Sequence, residues 1–359
     1  GIKLVLGYTV EGFKEKDNGV EVLLKDNPSL QADMVVLAIG VTPDTALAKE
    51  AGLELGIKGS IVVNDRMETS VPDIYAAGDA VQVKHYVTGD DALISLAGPA
   101  NKQGRIIADN ICGGDSRYLG SQGSSVIKVF DMTAATTGIN ETNAKKSGLE
   151  VDTVILSPMS HAGYYPGGKV MTMKVVFEKE TYRLLGAQII GYEGVDKRID
   201  VLATAIHAGL KATQLKDLDL AYAPPYSSAK DPVNMAGFMI DNIAKGTLKQ
   251  WHLEDMDKIS KDKSVVLLDV RTVGEFNRGH MDGFRNIPVD ELRERINEIE
   301  KGKPVYLICQ SGLRSYIASR ILEGNGYETY NFSGGFRFYD AVVNDRALIE
   351  RAYACGMDY

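Results

Sequence analysis

Short apolar runs alternate with turn-rich polar stretches through most of the chain, and a few longer segments repeat at helical spacing. Lys3–Tyr8 and Val20–Lys25 flank the polar Lys14–Gly19 stretch, which predicts a hairpin. Asp33–Gly40 is almost wholly apolar and reads as a buried strand running into Val41–Thr45. Ile74–Ala77, bounded by Pro72 and by Gly78-Asp79, predicts another buried strand that ends in a tight turn. Pro99 suits the first turn of a helix continuing to Ile111, with Leu96 and Ala97 at its positive end. Further on, Val170–Glu178 and Arg183–Gly191 alternate as paired strands. Asp196–Gly209 places Ile199, Leu202, Ala203 and Ile206 on one helix face. A polar segment from Gly246 to Ser264, holding the single Trp, predicts a linker. Beyond it Val265–Arg271 and Val305–Ile308 are apolar strands, and a helix is expected to begin near Ser315.

At 359 residues such a pattern implies two or three domains of mixed α/β and α+β class. Apolar residues make up 44% and charged residues 25%, ordinary values for a globular protein. Forty-eight acidic residues against 40 basic ones, with no Lys/Arg cluster, argue against a nucleic-acid partner. No apolar run is long enough to span a bilayer and no signal peptide is visible, so a cytoplasmic location is expected. Three cysteines (Cys112, Cys309 and Cys355) cannot build a disulfide framework and fit a reducing compartment. Cys112, ending a helix before Gly113-Gly114, reads as a small packed residue, and no metal is expected.

Chemistry first appears at Asp79. In an open α/β sheet, ligands gather at the carboxyl ends of strands, and Gly78 lets a ligand approach the backbone. An ionised Asp accepts hydrogen bonds only, which suits the hydroxyls of a sugar or ribityl chain as well as it suits a turn cap. The whole run Thr69-Ser-Val-Pro-Asp-Ile-Tyr-Ala-Ala-Gly-Asp-Ala80 resembles the second FAD-binding motif of the flavin- and pyridine-nucleotide-dependent disulfide reductases. The resemblance implies that Asp79 binds the ribityl chain, and that the helix end at Leu96 and Ala97 faces the flavin's pyrimidine edge. It also makes Asp33–Thr45 the closing segment of an NAD(P)H domain. Yet the chain opens on Gly1-Ile2-Lys3 without Met and holds no G-x-G-x-x-G. It is therefore expected to be the C-terminal part of a longer protein, with the nucleotide loops and any flavin-facing cysteine before residue 1.

Two polar-aromatic loops follow, His161-Ala-Gly-Tyr-Tyr-Pro-Gly-Gly168 and Asp219-Leu-Ala-Tyr-Ala-Pro-Pro-Tyr-Ser-Ser-Ala-Lys-Asp231. Tyrosines in such loops are often structural. The pair nonetheless resembles coenzyme A-disulfide reductases, which implies that Tyr164 and Tyr222 reach the partner subunit's redox cysteine and thiol substrate, with Lys230 at the substrate. Phenols can steady a thiolate leaving group. Ala221–Tyr226 lacks the His of glutathione-reductase-type enzymes.

In Val305-Tyr-Leu-Ile-Cys-Gln-Ser-Gly-Leu-Arg-Ser315, a strand delivers Cys309 to a short loop followed by a helix start. Loop N–H groups and the helix end would converge on the sulfur as an anion nest, lowering a thiol pKa from about 8.5. Four residues, Gln310, Ser311, Gly312 and Leu313, separate Cys309 from Arg314. The related dual-specificity phosphatase loop has one more, so the tighter ring favours sulfane sulfur over phosphate. The D-V-R…E-F-x-x-G-H-x-x-G…N-I-P pattern from Asp269 to Pro288 resembles rhodanese domains. Arg271 and Glu275 are expected to form a structural ion pair, with Asp269 and His280 keeping the fold. Cys355 is either a second sulfur acceptor or an incidental thiol.

Together these features resemble the C-terminal part of a coenzyme A-disulfide reductase fused to rhodanese, a group that includes NADH-dependent persulfide reductases. The implied layout is the end of an NAD(P)H domain (1–66), part of an FAD domain (67–121), a dimerisation domain (122–247) and a rhodanese domain (248–359). FAD, NAD(P)H with NADH favoured, and coenzyme A are the implied cofactors and substrate, in a homodimer. Catalysis falls to Cys309, Arg314, Tyr164 and Tyr222. Cofactor contacts fall to Gly78, Asp79, Ala80, Leu96, Ala97 and Tyr222, and substrate contacts to Asn101, Lys230 and Gln310–Leu313. An NADH oxidase or peroxidase with a rhodanese unit serving only as carrier or docking module is the competing reading.

Overall fold

The computed structural model describes residues 5–355, with side chains through residue 345. The chain divides into two compact units, residues 1–42 with 339–359, and residues 43–338. In the first, β1 (Val10–Lys16), β2 (Gly19–Leu24) and β3 (Asn27–Ala32) form an antiparallel meander. Lys16 pairs with Gly19, so Asp17-Asn18 forms the turn. The hairpin therefore lies later than Lys3–Tyr8: residues 5–8 are not in a strand, and Lys3 and Leu4 lie outside the described residues. Nor is Asp33–Gly40 a strand. Met34, Val36 and Ile39 are 76%, 76% and 84% exposed, and no strand among the described residues pairs with them. An apolar run becomes a buried strand only when neighbours satisfy its backbone groups.

In the second unit α1 (Ala46–Glu50) precedes a small sheet of β4 (Ile61–Val62), β5 (Val81–Lys84) and β6 (Asp91–Ala92). Ile74–Ala77 is extended, but it makes only an isolated bridge, Tyr75 to Glu68, and Ile74 is 37% exposed. The regular strand begins after Gly78-Asp79, at Val81, so the turn enters the sheet and does not leave it. Helix α2 (Ala97–Ile111) starts where Pro99 predicts and ends at Cys112, which is exposed and not packed.

The five-stranded antiparallel sheet comprises β7 (Ser125–Val129), β8 (Met132–Gly138), β9 (Val151–Leu156), β10 (Thr172–Glu178) and β11 (Leu184–Gly191), in the order β7-β8-β11-β10-β9. Short α3 (Glu141–Lys146) lies between β8 and β9 in sequence. Helices α4 (Val195–His207) and α5 (Pro232–Ala244) complete the core. Their Ile199, Leu202, Ile206, Val233 and Ile240 join Met173, Val175, Phe177 and Ile189 in one buried cluster. Each such side chain contributes about 1.5–3 kcal/mol on burial.

A parallel sheet follows, built from β12 (Gln250–Trp251), β13 (Val266–Asp269), β14 (Arg285–Asn286), β15 (Val305–Ile308) and β16 (Thr329–Phe332), in the order β12-β16-β15-β13-β14. Between these strands in sequence come α6 (Met256–Ile259), α7 (Val273–Arg278) and α8 (Leu313–Glu323), and α9 (Gly335–Cys355) follows β16, its Cys355 carrying no described side chain. The expected linker belongs to this sheet. Trp251 is buried, packs on Phe332 at 4.5 Å and donates its indole N–H to the Leu307 carbonyl at 3.4 Å. A polar composition concealed one large apolar anchor. Edge strand β9 meets this region where the Ile155 N–H donates to Ser333 Oγ, and where Gln250 and His252 bond Asp152.

Candidate functional site

Strand β15 is buried and parallel to its neighbours, so its carboxyl end opens at the loop that precedes α8. Cys309 is the first residue of that loop and is 1% exposed. The Gly312 N–H and the Ser315 hydroxyl each lie 3.2 Å from Sγ as donors. The carbonyls of Cys309 and Gln310 accept from the Phe336 and Arg337 N–H groups, at 2.8 and 3.1 Å. This clamp needs a glycine at residue 335, because a Cβ there would stand 2.7 Å from the Gln310 carbonyl oxygen and the Ser311 nitrogen. The result is a fixed loop with two donors on the sulfur. Ser311 and Leu313 are exposed on its outer side, and Gln310 Oε1 accepts from Arg271 Nη1 at 3.4 Å.

Arg314 does not stand alone. Its Nη1 and Nη2 donate to the two Glu275 carboxylate oxygens, each at 2.7 Å. The expected Arg271–Glu275 pair is thereby corrected. Asp269 and Arg271 lie two residues apart on one side of an extended chain, and they pair with each other at 2.7 Å. Glu275 instead closes a capping box with Thr272 at the start of α7 and turns towards Arg314. The hydrogen bond from Arg314 leads in holding the Glu275 carboxyl down at about 2, with the Thr272 bonds adding to it against the cost of burial. A depressed carboxyl stabilises the fold above its ordinary pKa of about 4.3, and that contribution is lost as pH falls through the folded value. The melting temperature of the protein should therefore exceed that of Glu275→Gln between pH 8 and 5, and the gap should close as pH drops towards about 2. A gap that is constant down to that pH contradicts the assignment.

The loops carrying Tyr164 and Tyr222 are brought together: the two phenolic oxygens are 2.7 Å apart, and both rings are exposed. Hydrogen bonding to Tyr164 pushes the Tyr222 hydroxyl above its ordinary range. Beneath them lies a residue that the sequence reading passed over. Arg198, 1% exposed, donates to the Ser160 carbonyl at 3.0 Å, Ser227 Oγ at 3.1 Å and Asp231 Oδ2 at 2.9 Å. It ties both loops to α4, and the Ala162 N–H to Ser227 carbonyl bond closes the tie. A cavity of ≈ 610 Å³ lined by Ser160, His161, Lys197, Tyr222 and Tyr226 opens beside it. Lys230 is exposed, with its ammonium 5.8 Å from the Phe238 ring.

At the remaining candidates, the fit to a flavin rests on open backbone. Gly78 has φ +88° with nothing within 4 Å of a virtual Cβ, so a ligand can come against the chain there. Its N–H is held by Gln103 Oε1 at 2.8 Å, and Gln103 is 1% exposed. Asp79 is exposed, Ala80 half-buried, and Ser95 Oγ lies 3.5 Å from the Asp79 carbonyl. Leu96 is the N-cap of α2 and offers no side-chain cap, which leaves first-turn N–H groups for an acceptor. Asn101, one turn on, bonds the Ala97 carbonyl at 2.9 Å. These residues suit a polyhydroxylated, electron-accepting ring system.

Comparison with known proteins finds three family matches along the chain. Residues 1–104 match the pyridine nucleotide-disulphide oxidoreductases, 124–232 the dimerisation domain of the same enzymes, and 252–341 the rhodanese-like domains. The solved structure of reduced Bacillus anthracis CoADR-RHD shares 46% identity at a TM-score of 0.90, over 94% of this chain and 60% of that one. An NAD-dependent persulfide reductase from A. fulgidus shares 40% at 0.84, over 92% of this chain and 60% of that one. A CoA-dependent NAD(P)H sulfur oxidoreductase of Pyrococcus furiosus is 39% identical over 60% of this chain and 48% of its own length. The chain thus spans about half the length of the curated relatives it matches.

Proposed function

The chain belongs to the pyridine nucleotide-disulphide oxidoreductases and carries a rhodanese-like domain, and from that premise we propose that the full-length protein reduces a persulfide or disulfide of coenzyme A or a small thiol with NADH. For a persulfide the balance is RSSH + NADH + H⁺ → RSH + H₂S + NAD⁺. The observation that carries the sulfur chemistry is Cys309, held at a strand end under the Gly312 and Ser315 donors. Its thiolate attacks the sulfane sulfur of a donor, forms the Cys309 persulfide and expels the donor's thiolate, or sulfite when thiosulfate is used. Arg314, fixed by Glu275, stands beside the loop as its cation.

FAD would be held by Gly78, Asp79 and Ala80, with the α2 end at Leu96 and Ala97 towards its ring. When bound, it supplies two-electron transfer from the nicotinamide. Among the residues of this chain, Asp79 would accept hydrogen bonds from the hydroxyls of the bound group, and Gln103 fixes the Gly78 backbone. Asp79→Ala should purify largely flavin-free, and a normal flavin-to-protein absorbance ratio would sink the assignment.

The dimerisation-domain match supports a homodimer in which the Tyr164–Tyr222 pair serves the partner's thiol site. A subunit lacking the redox cysteine, mixed with a Tyr164→Phe/Tyr222→Phe subunit, should recover one intact site per dimer. Activity no higher than that of either parent contradicts a shared site. The function as a whole is tested by steady-state NADH oxidation with coenzyme A persulfide, coenzyme A disulfide and oxygen as acceptors. Turnover with oxygen alone would instead favour an oxidase. Among the described residues, no helix is long and apolar enough to cross a membrane.

A further inference from the structure

Around Cys309 one hydroxyl proton has two acceptors within reach. Ser315, 0% exposed, lies with Oγ 3.2 Å from Cys309 Sγ and 3.1 Å from the Gly312 carbonyl oxygen. A serine has a single O–H to give, so it cannot donate to both. The Gly312 carbonyl, however, has two other donors for its two lone pairs, and the first is the Tyr316 N–H at 3.0 Å. Asn331, on β16 and 4% exposed, donates Nδ2–H to that same oxygen at 3.1 Å. Its own Oδ1 is buried without a hydrogen-bond partner among the described residues, so the side chain is held in place at a cost of unmet polarity.

We propose that Asn331 is a positioning residue for Cys309: by satisfying the Gly312 carbonyl it releases the Ser315 proton to the sulfur. This rests on the reading of Cys309 as a nucleophile and deepens it. Without Asn331 the carbonyl keeps the Tyr316 N–H but has one lone pair open, and Ser315 is the remaining side-chain donor within reach. The hydroxyl then turns to oxygen, and the sulfur keeps the Gly312 N–H but loses its second donor. Other charged groups near the loop are Arg314 from α8, Glu275 from α7 on that guanidinium, and Arg271 with Asp269 after β13, which reach the loop through Gln310. The Arg337 side chain at the start of α9 is exposed. None of these bonds Asn331 or Ser315, so their charges stay in place in the variants.

The test is the pH dependence of Cys309 alkylation by iodoacetamide in the full-length protein, followed by mass spectrometry of the Cys309 peptide. A hydrogen bond to a charged group is strong enough that losing it should slow alkylation roughly tenfold at a fixed pH near neutrality. Asn331→Leu and Ser315→Ala should each give that loss. The double variant should lose no more than either, because both act through one proton. Ser315→Thr, which keeps the hydroxyl, should stay near wild type. Additive losses, or an Asn331→Leu profile that overlays wild type while Ser315→Ala moves, overturn the proposal. A wild-type thiol that takes no sulfur from thiosulfate or a persulfide fails the carrier reading instead. The variant-to-wild-type comparison of alkylation still reports the donor in that case.

Discussion

Serine in place of Cys309 is expected to reduce sulfur transfer from thiosulfate, or from a bulky persulfide, to the uncatalysed background. The residue is 1% exposed at the end of β15, so an oxygen fits where the sulfur was and the loop keeps its shape. A serine hydroxyl has a far higher pKa than a thiol and cannot hold a persulfide, so the loss should be complete. Reduction of free coenzyme A persulfide should persist, because a small soluble substrate can reach the flavin side without the rhodanese step. Full thiosulfate activity in Cys309→Ser would refute the carrier role. Joint loss of coenzyme A persulfide reduction would make that step obligatory and the separation of the two functions wrong.

What could be read from sequence follows from how local each signal is. The Cys309 loop was legible because a strand, a short ring and a helix start are consecutive, and the donors to Sγ come from within six residues. Helix α2 was legible for the same reason, through Pro99. Partnerships across the fold were not. Glu275 and Arg314 are 39 residues apart, and nothing in the spacing of Asp269, Arg271 and Glu275 said which carboxylate would meet which guanidinium. Asn331 reaches Gly312 from a strand that lies beside β15 only after folding. The apolar run at Met34–Ile39 misled for the opposite reason: its composition is that of a strand, but among the described residues no partner strand meets it. Trp251 was hidden because its neighbours are polar, while its own ring is what docks. Arg198 did leave a trace, since it precedes Leu202 by four residues and Ala205 by seven and so lies on the apolar face of α4. A charge on such a face calls for a buried partner.

That partner is Asp231, and breaking the pair should be the most destabilising single change in the antiparallel domain. Arg198 and Asp231 are 1% and 3% exposed, joined by Nη2–Oδ2 at 2.9 Å and Nε–Oδ2 at 3.2 Å. Arg198→Met keeps most of the volume but leaves the buried carboxylate with only the Lys197 ammonium, at 3.9 Å, as counter-charge, a change that costs up to about 3–5 kcal/mol. Against a typical total of about 5–15 kcal/mol, this is a large share. The Ser160 and Ser227 sides of the two tyrosine loops lose their common donor at the same time. Removing the charge as well, in Arg198→Met/Asp231→Asn, should restore part of the loss, because Asn still accepts from the Val233 N–H and so keeps the cap of α5. Urea unfolding of the three proteins decides the matter. A double variant less stable than Arg198→Met would show that Arg198 acts through its carbonyl contacts and not through the ion pair. A single variant within about 0.5 kcal/mol of wild type would remove Arg198 from any part in holding Tyr164 against Tyr222.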